Sequence, residues 1–269
     1  MKTAENQEAG YRQWRSPEPR CVFLLVHGLG THSGRWEAAA DFFLKKGVAS
    51  YAVELRGIGP AAKPGARPES FDSCYDKILL LRKIAAKDNP GKKIFLIGES
   101  LGAITSFLLC ASRPGLFSGL VCISPAFAAR YKLPFLDSVR IAASLFYNPQ
   151  KLFSLPFNSE MCTRDTDYRH RLDQDPLEYR TASSKLILGI LFAQARAKAV
   201  KKILTPVLFL IAGEDKIVDP SAAAAVFRGL AAEDKTLVEF PGMYHALSID
   251  LGKERVFEGI LKWIEERVG

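Results

Sequence analysis

Ile94-Phe95-Leu96-Ile97-Gly98-Glu99-Ser100-Leu101-Gly102-Ala103 is the stretch around which the rest of the chain is organised. Its first four residues are apolar, three of them β-branched or aromatic, and read as a buried strand. The residues from Ser100 to Ala111 have the length and composition of a helix. Between strand and helix stands G-x-S-x-G. A strand that turns sharply into a helix has no room for side chains two places before and after its tip, so glycine occupies positions 98 and 102 while Ser100 projects its hydroxyl. The helix that starts there offers unpaired backbone N–H groups to negative charge forming nearby.

Upstream, Cys21-Val22-Phe23-Leu24-Leu25-Val26 is a fully apolar strand of the kind buried on both faces of a parallel sheet. It runs directly into His27-Gly28-Leu29-Gly30-Thr31-His32-Ser33-Gly34-Arg35-Trp36. Ligand-facing loops of a parallel sheet lie at such strand ends. Gly28 and Gly30 let the main chain turn tightly and expose an N–H group, which acyl transfer needs for its oxyanion. Tyr11 to Arg15 is expected as a short first strand, Arg35 to Lys46 as a helix stopped by Gly47, and Val48 to Val53 as the next strand. Glu54 to Pro60 makes a second glycine-rich loop, the Ala61 to Pro68 tract is loop, and Ser70 to Lys87 is an amphipathic helix. Gly119 to Ser124 is another buried strand. Strand, helix, strand, helix, strand, helix, strand is the rhythm of a parallel α/β sheet.

That rhythm breaks between Pro125 and Lys202, where about 78 residues pass before the next sheet strand, Pro206 to Ala212. An insertion at the C-terminal edge of the sheet reads as a cap over a site. Leu136, Val139, Ala143 and Phe146 recur at helical spacing, and Leu186 to Ala193 is almost wholly apolar, so two helices are expected there. The division is residues 1–124 and 203–269 as the core domain and 125–202 as the cap. The cap carries thirteen Lys and Arg against seven Asp and Glu, so +6 of the net +8 falls in it. An apolar, basic cap suits approach to anionic lipid surfaces or acidic amphiphiles. A helix from Ser221 to Leu230, a strand from Thr236 to Phe240 and a final amphipathic helix carrying Val256, Ile260, Trp263 and Ile264 complete the chain.

Composition narrows the function classes. Hydrophobic residues make up 48% and charged residues 25% of 269 positions, which suits a large globular core and argues against disorder. No run approaches the roughly 18 apolar residues of a membrane span, and Met1 to Arg20 lacks the apolar centre of a signal peptide, so a cytoplasmic protein is expected, with peripheral membrane association through the cap. Cys21, Cys74, Cys110, Cys122 and Cys162 are widely spaced with no metal-ligand pattern; Cys21, Cys110 and Cys122 read as core residues. Neither a disulfide, a zinc site nor any cofactor is expected. No basic run interleaved with aromatics marks a nucleic-acid surface.

A serine hydroxyl needs a neighbouring base, and the base benefits from a carboxylate that orients it. Of four histidines, His27 and His32 belong to the loop after the second strand and His170 to a highly charged cap segment. His245 follows a strand within Pro241-Gly242-Met243-Tyr244-His245, where a parallel sheet presents catalytic groups. Asp215 follows the strand ending at Ala212 in the same way. Asp219 competes, but it stands where the next helix begins and reads as its N-cap. The resulting order is Ser100, Asp215, His245, the order of an α/β-hydrolase.

The chain resembles the α/β-hydrolase superfamily over nearly its whole length, and within it the monoacylglycerol lipase and lysophospholipase group of serine aminopeptidase S33-type hydrolases. His27 to Arg35, Arg56-Gly57-Ile58-Gly59, Gly98 to Gly102, Gly213 to Asp219 and Tyr244-His245 carry the resemblance. It implies an α/β-hydrolase fold, a mostly parallel central sheet flanked by helices, with a helical cap inserted after the sixth strand. It makes Ser100 the nucleophile, His245 the base and Asp215 the orienting acid, with the oxyanion hole formed by the N–H groups of Leu29 and Leu101. The chain departs from its relatives at Ile58, often histidine, and at Glu54, usually aspartate. The implied activity is hydrolysis of a small single-chain lipid ester such as monoacylglycerol. The alternatives are a short-chain or aromatic carboxylesterase or thioesterase and, from another class, a hydrolase-like receptor with little turnover, which the intact Ser100, Asp215 and His245 argue against. Peptidase activity also occurs in related folds.

Overall fold

The computed structural model describes residues 4–6, 10–55, 71–131 and 134–268. In chain order its elements are β1 (Ala4–Asn6), β2 (Tyr11–Trp14), β3 (Cys21–Val26), α1 (Glu37–Lys45), β4 (Val48–Val53), α2 (Phe71–Asp88), β5 (Ile94–Glu99), α3 (Leu101–Ser112) and β6 (Gly119–Ile123). There follow α4 (Phe135–Tyr147), β7 (Leu152–Ser154), α5 (Ser159–Cys162), α6 (Thr166–Gln174), β8 (Thr181–Ser183), α7 (Ser184–Ala199), β9 (Val207–Ala212), α8 (Pro220–Gly229), β10 (Lys235–Phe240) and α9 (Lys253–Val268). The Arg56 to Gly59 motif with Ile58, the 61–68 tract and Ser70 lie outside the described residues.

Among the described residues the main sheet has eight strands in the order β1-β2-β4-β3-β5-β6-β9-β10. β1 and β2 pair antiparallel at one edge, and β4 through β10 pair parallel. Every residue of β3, β4, β5, β6 and β9 is buried, as expected of strands covered on both faces. Alternation along β3 divides the core in two. Val22, Leu24 and Val26 pack with Ile78 and Leu81 of α2 and Ile104 and Phe107 of α3. Cys21, Phe23 and Leu25 pack on the other face with Phe43 of α1 and Phe257, Ile260 and Trp263 of α9.

The sequence places these elements closely, with three corrections. β1 precedes the strand expected first. The helix expected from Arg35 begins as a 3-10 turn over Ser33–Trp36, and α1 proper starts at Glu37 and ends before Gly47, whose φ of +74° terminates it. Residues 125–202 contain the expected helices α4 and α7, but also α5, α6 and an antiparallel ladder between β7 and β8. Gly119–Ile123, after which this segment leaves the sheet, is the sixth strand in chain order. All five cysteines are buried. Among the described residues no helix is long and apolar enough to cross a membrane.

Candidate active site

Ser100 sits between β5 and α3 at φ +58°, ψ −118°, a region that side-chain-bearing residues rarely occupy. Its N–H donates to the Ile123 carbonyl at 2.9 Å, which holds the turn against β6. The flanking glycines are required by contact. A Cβ on Gly98 would lie 2.7 Å from the Ala103 nitrogen, and one on Gly102 would lie 2.5 Å from the His27 carbonyl oxygen. α3 is buried along most of its length, so the elbow is anchored to a rigid element.

His245 and Asp215 come from the loops after β10 and β9. His245 Nδ1–H donates to Asp215 Oδ2 at 2.7 Å, and Nε2 lies 2.9 Å from Ser100 Oγ, placed to accept its hydroxyl proton. The other carboxylate oxygen of Asp215 accepts the N–H groups of Ile217 and Val218 at 2.8 and 2.9 Å, which fixes its plane. Asp215 is 1% and His245 5% exposed. Burial pulls the imidazolium toward losing its proton, but the charge of Asp215 and its hydrogen bond outweigh that, and the His245 pKa rises above its usual value. Asp219 stands elsewhere: it is the N-cap of α8 and accepts from the Ser221 N–H at 2.9 Å.

The loop after β3 lies beside the serine, and a Cβ on Gly28 would come 3.2 Å from Ser100 Cβ. His27 Nδ1 lies 2.9 Å from the Gly28 carbonyl oxygen, which also accepts the Thr31 hydroxyl at 3.2 Å. His27 Nε2 accepts the Leu55 N–H at 3.0 Å, so Nδ1 carries the proton and donates. A trans amide is planar, so fixing the Gly28 C=O turns the Leu29 N–H the opposite way. Leu29 and Leu101, the first residue of α3, both line the cavity that holds Ser100 and His245. The N–H of a first helical residue has no partner within its helix.

That cavity has a volume of about 430 Å³. Leu155, Phe157, Ile187, Ile190, Ile217 and Val218 give it apolar walls, and Arg35, Glu99 and Glu178 are its ionisable groups nearest the loop and elbow. Leu191 lines it and is also 56% exposed, so the wall reaches solvent along α7. Among the described residues no group of three His, Cys, Asp or Glu side chains is arranged to hold a metal ion.

The structure therefore brings Ser100, Asp215, His245, Leu29 and Leu101 to one cavity. It also uses residues that sequence reasoning passed over. Glu54, read only as a departure from relatives, accepts the Ser33 hydroxyl at 2.7 Å and the Ser33 N–H at 3.2 Å. Burial would raise its pKa, yet His27 and Ser33 together hold it down to about 2. Glu99 accepts from Ser248, and Arg35 is paired with Glu178. The position of Glu99 beside the nucleophile was the available signal for the first; nothing in spacing announces the second.

A parallel sheet whose strand-end loops bring together a strained elbow serine, a histidine and an aspartate defines an α/β-hydrolase. The chain belongs to the family described as Serine aminopeptidase, S33, which it matches over residues 17–252. It is 29% identical over 273 residues to the monoglyceride lipase of Homo sapiens, spanning 99% of this chain and 90% of that protein. It is 25% identical over 253 residues to a monoacylglycerol lipase of Mycolicibacterium smegmatis, spanning 92% of this chain and 89% of that one. Among solved structures, the monoacylglycerol lipase of Paleococcus ferrophilus superposes with a TM-score of 0.84 at 28% identity, covering 99% of this chain and all of that one.

Proposed function

We propose that this protein is a serine ester hydrolase that cleaves monoacylglycerol or a similar single-chain lipid ester through an acyl-enzyme. The observation that carries this reading is the Ser100–His245–Asp215 chain of hydrogen bonds, 2.9 and 2.7 Å long, inside a largely apolar cavity. Relatives named as monoacylglycerol lipases support the same substrate class.

Ser100 Oγ attacks the ester carbonyl while its proton passes to His245 Nε2. Asp215 holds the imidazole in the tautomer that can accept it and stabilises the imidazolium formed. The tetrahedral oxyanion takes hydrogen bonds from the Leu29 and Leu101 N–H groups. His245 then returns the proton to the departing alcohol, and the same sequence with water in place of Ser100 releases the fatty acid. No step requires a cofactor.

Residues 125–202 act in this reading as the cap that supplies the acyl-chain wall, through Leu155, Ile187, Ile190 and Leu191. Phe135, Phe146 and Phe192 on α4 and α7 are 79%, 93% and 61% exposed. Together with the excess of basic residues in the same segment, they give the cavity surroundings an affinity for lipid surfaces, so the protein works in the cytoplasm with peripheral contact to lipid.

The test is hydrolysis rate against acyl chain length for 1-monoacylglycerols, with Ser100→Ala alongside. A maximum at medium or long chains, lowered at least about 1,000-fold in the variant, supports the proposal. Activity confined to two- to four-carbon acyl groups would make the protein a short-chain esterase, and ligand binding without turnover of any ester would make it a receptor.

A further inference from the structure

The loop from His27 to Trp36 is fastened from two sides. On the core side, the Leu55 N–H on His27 and the Glu54 carboxylate on Ser33 hold its two ends. Its middle is held by a short stretch between α6 and β8. The Tyr179 N–H donates to the Gly30 carbonyl at 3.0 Å. His32 Nε2 lies 3.0 Å from Asp175 Oδ2. Arg35 Nε and Nη2 donate to the two oxygens of Glu178 at 2.7 and 2.9 Å. Approach is so close that a Cβ on Gly30 would fall on the Tyr179 carbonyl, and Gly30 itself adopts φ +71°.

The Arg35–Glu178 pair is the strongest of these ties. It is bidentate, and both side chains are less than one-tenth exposed, at 9% and 7%. A charge-assisted fork of this kind fixes orientation as well as distance. Both residues line the cavity, Arg35 from the loop and Glu178 from the inserted segment.

We propose that Glu178 is a positioning residue: through Arg35, with Asp175 and Tyr179 beside it, it holds the loop in which Leu29 lies at the distance an oxyanion requires. The inserted segment then completes the oxyanion site, which the sheet alone leaves half-supported. This rests on the reading of Leu29 as an oxyanion donor. Ser100 and His245 are held mainly by the core, so loosening this tie acts on the charge formed in the transition state more than on substrate binding.

The experiment compares full-length wild type, Glu178→Gln and Asp175→Asn on p-nitrophenyl octanoate and on the matching thionoester, with Ser100→Ala as reference. Sulfur accepts hydrogen bonds weakly, so a thionoester draws little from an oxyanion hole. Glu178→Gln is expected to lower kcat on the oxygen ester about 10-fold or more, to leave KM within about 3-fold and to lower the oxygen-to-thiono rate ratio. Asp175→Asn moves the same quantities in the same direction by less. Its side chain is 30% exposed, so it carries the test alone where Glu178→Gln does not fold. An unchanged kcat, or an equal fall on both esters, overturns the proposal. Hydrolysis surviving in Ser100→Ala overturns the proposed function and this inference together; a dead Ser100→Ala beside a wild-type Glu178→Gln overturns the inference alone.

Discussion

Glu99 and Ser248, 149 positions apart in the chain, are joined by two hydrogen bonds: the Ser248 hydroxyl reaches Oε2 at 2.8 Å and its N–H reaches Oε1 at 3.1 Å. Glu99 adjoins Ser100 and Ser248 lies three residues past His245, so one buried carboxylate ties the elbow to the histidine loop. Burial pushes its pKa up against these two bonds. Glu99→Ala leaves both Ser248 donors buried without a partner, at a cost of about 1–3 kcal/mol. Thermal unfolding is expected at a lower midpoint, and kcat falls more than KM. Glu99→Gln, which keeps one acceptor, loses less of each.

The raised His245 pKa fixes the sign of the pH dependence. The base must be neutral to accept the Ser100 proton, so kcat/KM rises with pH through an apparent pKa above 6.5. Stability runs the other way: the protonated histidine paired with Asp215 stabilises the fold fully below its unfolded pKa, and that contribution is lost as pH rises through the folded one. Asp215→Asn removes the charge that raises the pKa and is expected to shift the acid limb of a pH–rate profile downward, while lowering kcat by about 10⁴-fold.

Gly98→Ala forces a methyl group to within 2.7 Å of the Ala103 nitrogen, at the root of the elbow. Neither backbone has a free direction of retreat, since β5 is paired on both sides. A loss of about 1–3 kcal/mol in denaturant-induced unfolding is expected, with a larger fractional loss of esterase activity as Ser100 shifts.

Asp250, fully buried, accepts the Arg164 N–H and Nε–H at 2.7 and 2.9 Å and the Tyr244 N–H at 2.8 Å. It thereby fastens the segment after α5 to the loop before His245. Asp250→Ala leaves a buried set of donors and a stranded guanidinium, and a loss of about 3 kcal/mol is expected from urea unfolding.

Phe146→Ser and Phe192→Ser remove exposed apolar surface without touching the core, so unfolding midpoints should stay unchanged. Co-sedimentation with vesicles containing anionic lipid is expected to weaken, and hydrolysis of bilayer-dispersed monoacylglycerol to fall, while p-nitrophenyl acetate is cleaved at the wild-type rate. Equal loss on both substrates would remove the surface-docking reading.

What the sequence by itself determined is whatever is encoded within a few residues of chain. The elbow is legible because Gly98 and Gly102 answer a steric demand two residues away, and the buried strands because an unbroken apolar run has one destination in a parallel sheet. Asp219 is legible as a cap for the same local reason. The strands β7 and β8 were not, because three residues are too few to show a period, and each has its partner more than twenty positions away.

Tertiary structure decided the pairings that no spacing records: Glu54 with Ser33, Glu99 with Ser248, Arg35 with Glu178. A hydrogen bond acts over about 3 Å of space and is indifferent to distance along the chain. The residues able to do the chemistry can be picked from their motifs, but what holds them at working distance becomes visible only once the sheet and the segment inserted after β6 have brought separate loops together.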